Sequence, residues 1–369
     1  MTPRRRDVAL DALRLLAVLL MIASHTTRLI AWDERRGWSW FSLLIEPFTA
    51  SLFLILVGAS LVLSWRAAQA GGRVAWFRKQ ALRASGLWAI SALFYALEEG
   101  VRWPDVATMS GILATIAYVS LLGMVLVASP RPVLALSIAA AICMGAHVWF
   151  DKAGLTIFGL NAGNSPMLPL FPLACSGALG VLVLDCGRLA RVGVAVAAAA
   201  IVAALVTRYG FAAIFSAPLG RYETARVLEW MDHGRMLRKE IPYYNLRPIL
   251  VPMIASLTVL IYTVFSLIRP ALERGQRIFL AMGRRSLDVY ILHLAILAVF
   301  VEAGHGRRPL QKTWQGDAVV VGAIAASWLW VLGRDAFAAR KRSGGEKAAV
   351  RGGYLDVTGP GSNRPAGLG

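Results

Sequence analysis

The chain has 369 residues, of which 57% are hydrophobic and 16% charged, and its formal net charge is +18. Soluble domains carry roughly 25% charged residues, and the mean hydropathy here is +0.59, so a soluble globular enzyme is excluded. Nucleic-acid binding is excluded as the source of the charge. The basic residues sit in short connections between apolar segments, not in a stripe with interleaved aromatics.

A bilayer core of about 30 Å takes roughly 20 apolar residues per helix. The apolar pattern predicts an all-α, polytopic integral membrane bundle of about ten transmembrane helices. They fall near residues 8–30, 43–65, 81–97, 108–128, 132–150, 168–185, 192–214, 248–268, 286–303 and 316–334. The opening MTPRRR and the apolar run after it resemble a signal peptide, but Asp11 and Arg14 interrupt the run and no A-x-A site closes it, which predicts a retained first helix. Alternate connections are rich in Arg and Lys: Arg66, Arg73, Arg78, Lys79 and Arg83, then Arg188 and Arg191, then Arg269 to Arg285, then the tail. The positive-inside rule places these connections and both termini in the cytoplasm, most simply in a bacterial cytoplasmic membrane.

Residues 1–335 are expected to form the membrane domain, with 336–369 a disordered cytoplasmic tail rich in Gly, Ser, Pro and charge. The long polar stretch 208–247, with Tyr243, Tyr244 and Asn245, lies on the outer face as a substrate cap or a passive connector. Trp38, Trp40, Trp103, Trp149, Trp230 and Trp314 fall at or beyond outer helix ends, as an aromatic belt would place them, and could also stack on a sugar. Cys143, Cys175 and Cys186 form no CxxC, so neither a disulfide framework nor a metal site is expected.

The first helix carries the densest chemistry: Asp11, Arg14 and, after ten more residues, His25. At 100° per residue Arg14 lies about 60° from Asp11 and His25 about 20° from Arg14, so all three share one narrow face, with Asp7 on the same stripe. Arg14 and His25 are separated by about 16 Å along the axis. Ionisable groups in a membrane helix cost several kcal/mol unless they face a bundle interior or water. Four on one face predict a polar cavity through much of the membrane. An i,i+3 pair between Asp11 and Arg14 that only locks the helix is the structural alternative.

The segment RDVALDALRLLAVLLMIASH resembles the opening helix of the acyltransferase-3 family of transmembrane acyltransferases, with its Arg and His in that spacing at Arg14 and His25. Residues 46–61, EPFTASLFLILVGASL, are similar to the second helix of that family and of the related heparan-α-glucosaminide acetyltransferases. Residues 77–85, FRKQALRAS, resemble the basic start of the third helix, and 283–294, GRRSLDVYILHL, resemble a late helix with Ser, Tyr and His. The stretch 111–123, GILATIAYVSLLG, leans toward the heparan-acetyltransferase branch.

The resemblance implies transfer of an acyl group, first of all acetyl, from cytoplasmic acyl-CoA to a hydroxyl or amine of a glycan or glycolipid. Its expected partners are acyl-CoA, the carbohydrate acceptor and membrane lipid. In that reading His25 is the general base. Glu46 orients it through a hydrogen bond, and Arg14 holds the donor or sets Asp11. Arg78, Lys79, Arg83, Arg284 and Arg285 are candidates for the CoA phosphates, although the positive-inside rule alone also explains them. Tyr290 and His293, i,i+3 on one helix face, bind substrate, relay a proton or bond to another helix. An intramembrane Arg, Asp and His would also suit a transporter or flippase, but no matched pair of broken segments marks an inverted repeat.

Overall fold

The computed structural model describes residues 7–27, 39–69, 72–101, 103, 105–108, 111–155, 157, 160–161, 166–184, 187–209, 250–275, 280–303 and 313–353. Among them every regular element is a helix. In chain order these are α1 (Val8–Thr27), α2 (Ser39–Ala68), α3 (Arg73–Glu99), α4 (Asp105–Thr108), α5 (Ile112–Val127), α6 (Pro132–Lys152), α7 (Met167–Leu184), α8 (Arg188–Tyr209), α9 (Leu250–Leu267), α10 (Arg269–Gly275), α11 (Ala281–Arg284), α12 (Ser286–Ala303) and α13 (Thr313–Gly353).

Each of the segments expected to be helical overlaps one of the longer helices, and the architecture is a helical membrane bundle. Among the described residues seven helices are long and apolar enough to span a bilayer: α1, α2, α6, α7, α8, α9 and α13. The ten expected segments also include α3, α5 and α12. The apolar stretch of α5 (Ile112–Val127) is shorter than a full crossing, and α12 (Ser286–Ala303) is described with its side chains only as far as Val299. Helix α3 carries Arg78, Lys79 and Arg83 in its first three turns and is too polar to qualify. Helix α13 continues to Gly353, past residue 335 where the membrane domain was expected to end. Most of the 208–247 segment lies outside the described residues.

Local chemistry sets the helix ends. Asp7 caps α1: its Oδ1 accepts the amides of Ala9 at 3.0 Å and Leu10 at 3.3 Å, two of the donors a helix start leaves without partners. The turn between α2 and α3 passes through Gly72 at φ 113°, a conformation that side chains with a Cβ avoid.

Hydrocarbon lipid gives no hydrophobic drive between helices, so membrane helices associate by close packing of small residues. The tightest crossing is between α2 and α7. A Cβ on Gly58 would collide with the backbone of Ala174, and one on Gly177 with the backbone of Ile55. Helix α1 sits at the centre. It packs on α2, α9, α11, α12 and α13, and Leu13, Ala17, Val18 and Ile22 are fully enclosed. Gly283 of α11 lets that short helix approach the α1 backbone at Asp11 and Leu15. Helices α6 and α8 are peripheral, with 11% and 6% of their spans buried, and present their apolar surfaces to lipid. Trp103, Trp149 and Trp314 are exposed, in keeping with a lipid-interface belt. Trp38, Trp230 and the side chain of Trp40 lie outside the described residues.

A glycine between two helix backbones tolerates no side chain. Gly58→Val is therefore expected to abolish a monodisperse, cooperatively melting protein in detergent. Gly145→Ala, where an added Cβ meets nothing within 4 Å, should melt like the wild type.

Candidate active site

The ionisable stripe of α1 faces protein along its whole length. At one end the Tyr262 hydroxyl of α9 donates to Asp7 Oδ2 at 2.9 Å. One turn further, Arg14 Nη1 donates to Asp11 Oδ1 at 2.8 Å, and Arg14 Nη2 donates to Ser60 Oγ of α2 at 2.8 Å. Ser60 Oγ in turn donates a hydrogen bond to the Leu56 carbonyl at 2.6 Å. Asp11 is buried, and Arg14 keeps 23% of its side-chain surface exposed. Arg14 is thus both the expected i,i+3 partner of Asp11 and a clamp from α1 to α2.

Near the far end of α1, His25 Nδ1 meets His293 Nε2 of α12 at 2.9 Å. The two rings are stacked, with centroids 5.2 Å apart and planes 20° from parallel. His293 is fully buried, whereas His25 is half-buried. Behind them Tyr290 stands edge-on to His293 at 5.3 Å, and Phe53 of α2 stands edge-on to Tyr290 at 6.2 Å. The second nitrogen of His293, Nδ1, lies 3.3 Å from the Val289 carbonyl.

That carbonyl fixes the tautomers. A carbonyl only accepts, so His293 Nδ1 carries the proton in the neutral pair, and its Nε2 is bare. His25 Nδ1–H then donates to His293 Nε2, a tautomer that puts the lone pair of the neutral His25 ring on its Nε2. The arrangement presents one basic nitrogen on a ring that is oriented by a second ring. Ten helical residues follow His293 in α12, so the pair sits about 15 Å short of that helix end.

The remaining predicted residues fall into two groups. Arg78, Lys79 and Arg83 of α3 are exposed, and Arg83 lies close enough to Arg14 for the two charges to interact. Arg284 and Arg285 belong to an ion network with α13. Arg285 Nη2 reaches Asp335 Oδ1 at 2.6 Å and its Nη1 reaches Asp288 Oδ2 at 3.3 Å. Arg284 Nη2 lies 3.5 Å from Asp335 Oδ2, and Arg334 Nη1 lies 2.9 Å from Asp288 Oδ2. Hydrogen bonding to Asp335 shifts the Arg285 pKa upward, so Arg285 keeps its charge. Among the described residues this cluster sets three guanidinium groups beside two carboxylates. The side chain of Glu46 lies outside the described residues. His233 and His305 lie outside the described residues as well, and His147 of α6 is buried.

The sequence placed His25 and His293 separately and did not pair them. It also missed Ser60, Phe53, Tyr262 and Asp335. Ser60 and Phe53 are two turns apart on one face of α2, a spacing visible in the sequence. Nothing local marks which neighbouring helix that face meets.

Residues 6–188 match the family model described as heparan-alpha-glucosaminide N-acetyltransferase, catalytic. A search of the curated proteins finds no match to the chain. The family match runs through α1 to α7 and just reaches α8, and so includes Arg14, His25, Ser60 and Arg83. It supports a transmembrane acetyltransferase-like family, the branch toward which the 111–123 stretch leans, and does not extend to the choice of acyltransferase-3. The His293 half of the histidine pair comes from beyond the matched region.

Hydrogen bonds to charged groups contribute about 1.5–3 kcal/mol. Asp11→Asn should lower the melting temperature in detergent, because Arg14 keeps its charge and loses its counter-charge. Adding Arg14→Gln should cost less than the sum of the two single changes, the signature of direct coupling in a double-mutant cycle.

Proposed function

We propose that the protein is a membrane-bound acyltransferase that moves an acyl group, acetyl in the first instance, from acyl-CoA at the cytoplasmic side to a hydroxyl or amine of a glycan or glycolipid on the outer side. The observation that carries the proposal is the His25–His293 hydrogen bond, which orients one imidazole with a basic nitrogen inside the bundle. The family match supports the same class of chemistry.

In this reading His25 Nε2 takes the proton from the acceptor hydroxyl or amine as that atom attacks the thioester carbonyl. The new ester or amide bond forms and the carbon–sulfur bond breaks. The CoA thiolate leaves and regains a proton, ultimately the one His25 took. His293 keeps His25 in the productive tautomer and accepts the Nδ1–H bond of the imidazolium as it forms. A base oriented by a hydrogen-bonded neighbour is the logic by which the sequence assigned Glu46 to His25. Arg14, about 16 Å from His25 along α1, stands beside the donor arm and not at the reacting carbon. The exposed Arg78, Lys79 and Arg83, with the Arg284–Arg285 cluster, offer guanidinium and ammonium groups to the donor phosphates. Tyr290 packs edge-on against His293, and Phe53 against Tyr290.

The test is purified protein in detergent with labelled acetyl-CoA, with and without glucosamine as an amine probe. The wild type should transfer the label or slowly release it as acetate. His25→Ala should lose about 10²–10⁴-fold of that turnover, the range for a general base, at an unchanged melting profile. His293→Gln, which can still accept from His25 Nδ1, should retain more activity than His293→Leu. Full turnover in a folded His25→Ala protein would remove the base assignment.

A further inference from the structure

A cavity away from the histidine pair lies in the bundle. It has a volume of about 280 Å³ and lies where α1, α2, α7, α8 and α9 diverge. Its walls are small or aliphatic, including Leu13, Ala59, Gly180, Ala198 and Val259. The hydroxyls of Ser176 and Thr258, which also line it, donate to the Leu173 carbonyl at 2.7 Å and the Ile254 carbonyl at 2.8 Å of their own helices. They ask nothing of an occupant. Water would find few partners there, and an apolar cavity of about 150 Å³ already holds a benzene ring. This one has nearly twice that volume. Left empty, its lining would forgo dispersion contacts on every side. At the edge, Ala197 lines the cavity and is exposed, so the space opens sideways toward lipid between peripheral helices.

One end of the cavity is marked by charge. Leu184, which lines it, accepts a hydrogen bond through its carbonyl from Arg191 Nε at 3.1 Å. That bond brings the exposed Arg191 guanidinium to the rim. Arg188 and Arg269 are exposed at the same end of the bundle. Asp7, the acidic group on the lining, is engaged by Tyr262 and by two amides.

The geometry points to a lipid site: the cavity takes one acyl chain of an anionic phospholipid from the leaflet at the Asp7 end, with the phosphate at Arg191. An apolar slot that opens into the bilayer, with a guanidinium at its rim, suits that occupant better than a soluble ligand. The site is separate from the proposed acyl-transfer chemistry and stands or falls without it.

Native mass spectrometry of the full-length protein, stripped of lipid in detergent and titrated with dioleoyl phosphatidylglycerol or dioleoyl phosphatidylcholine, tests the assignment. The wild type should hold one phosphatidylglycerol at least tenfold more tightly than phosphatidylcholine. An added Cβ on Gly180 meets nothing within 4 Å, so Gly180→Phe can fill the space and should weaken phosphatidylglycerol at least tenfold. Ala197→Phe blocks the same cavity from its exposed edge and serves if Gly180→Phe melts abnormally. Arg191→Gln should erase the headgroup preference and leave phosphatidylcholine binding as it was. Equal binding of the two lipids to the wild type, or undiminished phosphatidylglycerol in a folded cavity-filled variant, would overturn the site. Displacement of the lipid by equimolar palmitoyl-CoA would overturn it too, by giving the cavity to a donor chain.

Discussion

A charged or protonatable side chain inside a bilayer must find a partner within the protein, and α1 places four such groups along one edge. Each is answered by a different part of the bundle. Asp7 meets Tyr262 of α9, the Asp11–Arg14 pair meets Ser60 of α2, and His25 meets His293 of α12. Interhelical hydrogen bonds in membranes average only about 0.6 kcal/mol. Their effect here is to set register more than to hold the bundle together. Cohesion comes from the glycine crossings, Gly58 with Gly177 and Gly283 against α1, where backbones come into contact.

The ion network at the start of α12 extends this logic. Arg285 and Asp288 flank the first turn of the helix, and both reach α13 through Asp335 and Arg334. His293 stands two turns further along the same helix. The network thereby fixes the height and rotation of α12, and with them the position of the ring that His25 meets. Charge at the rim and hydrogen-bond geometry in the interior are linked through one rigid helix.

The sequence made the bundle readable because hydropathy reports directly on lipid. Every expected segment coincides with a helix, and the stripe on α1 was visible from 100° arithmetic alone. The Tyr290–His293 face was equally plain at i,i+3 spacing. What escaped was anything decided between helices. The limited apolar length of α5 follows from a residue count, but its place beside longer helices does not. Arg284 and Arg285 read as candidates for the CoA phosphates, and their tie to Asp335 did not show because it lies fifty positions away from Arg285. The partner of His25 was hidden for the same reason. His293 was noticed as a buried imidazole, but which helix α12 would face is a property of packing, and the sequence records it only as a scatter of small residues.

The two imidazoles are 268 positions apart, and that separation bears on how the protein is made. Through most of translation the early helices enter the bilayer with His25 lacking the neighbour that sets its tautomer. Only when α12 joins them does the pair close. A ribosome that stalls before that point leaves a chain containing the whole family-matched region yet only half of its paired imidazoles.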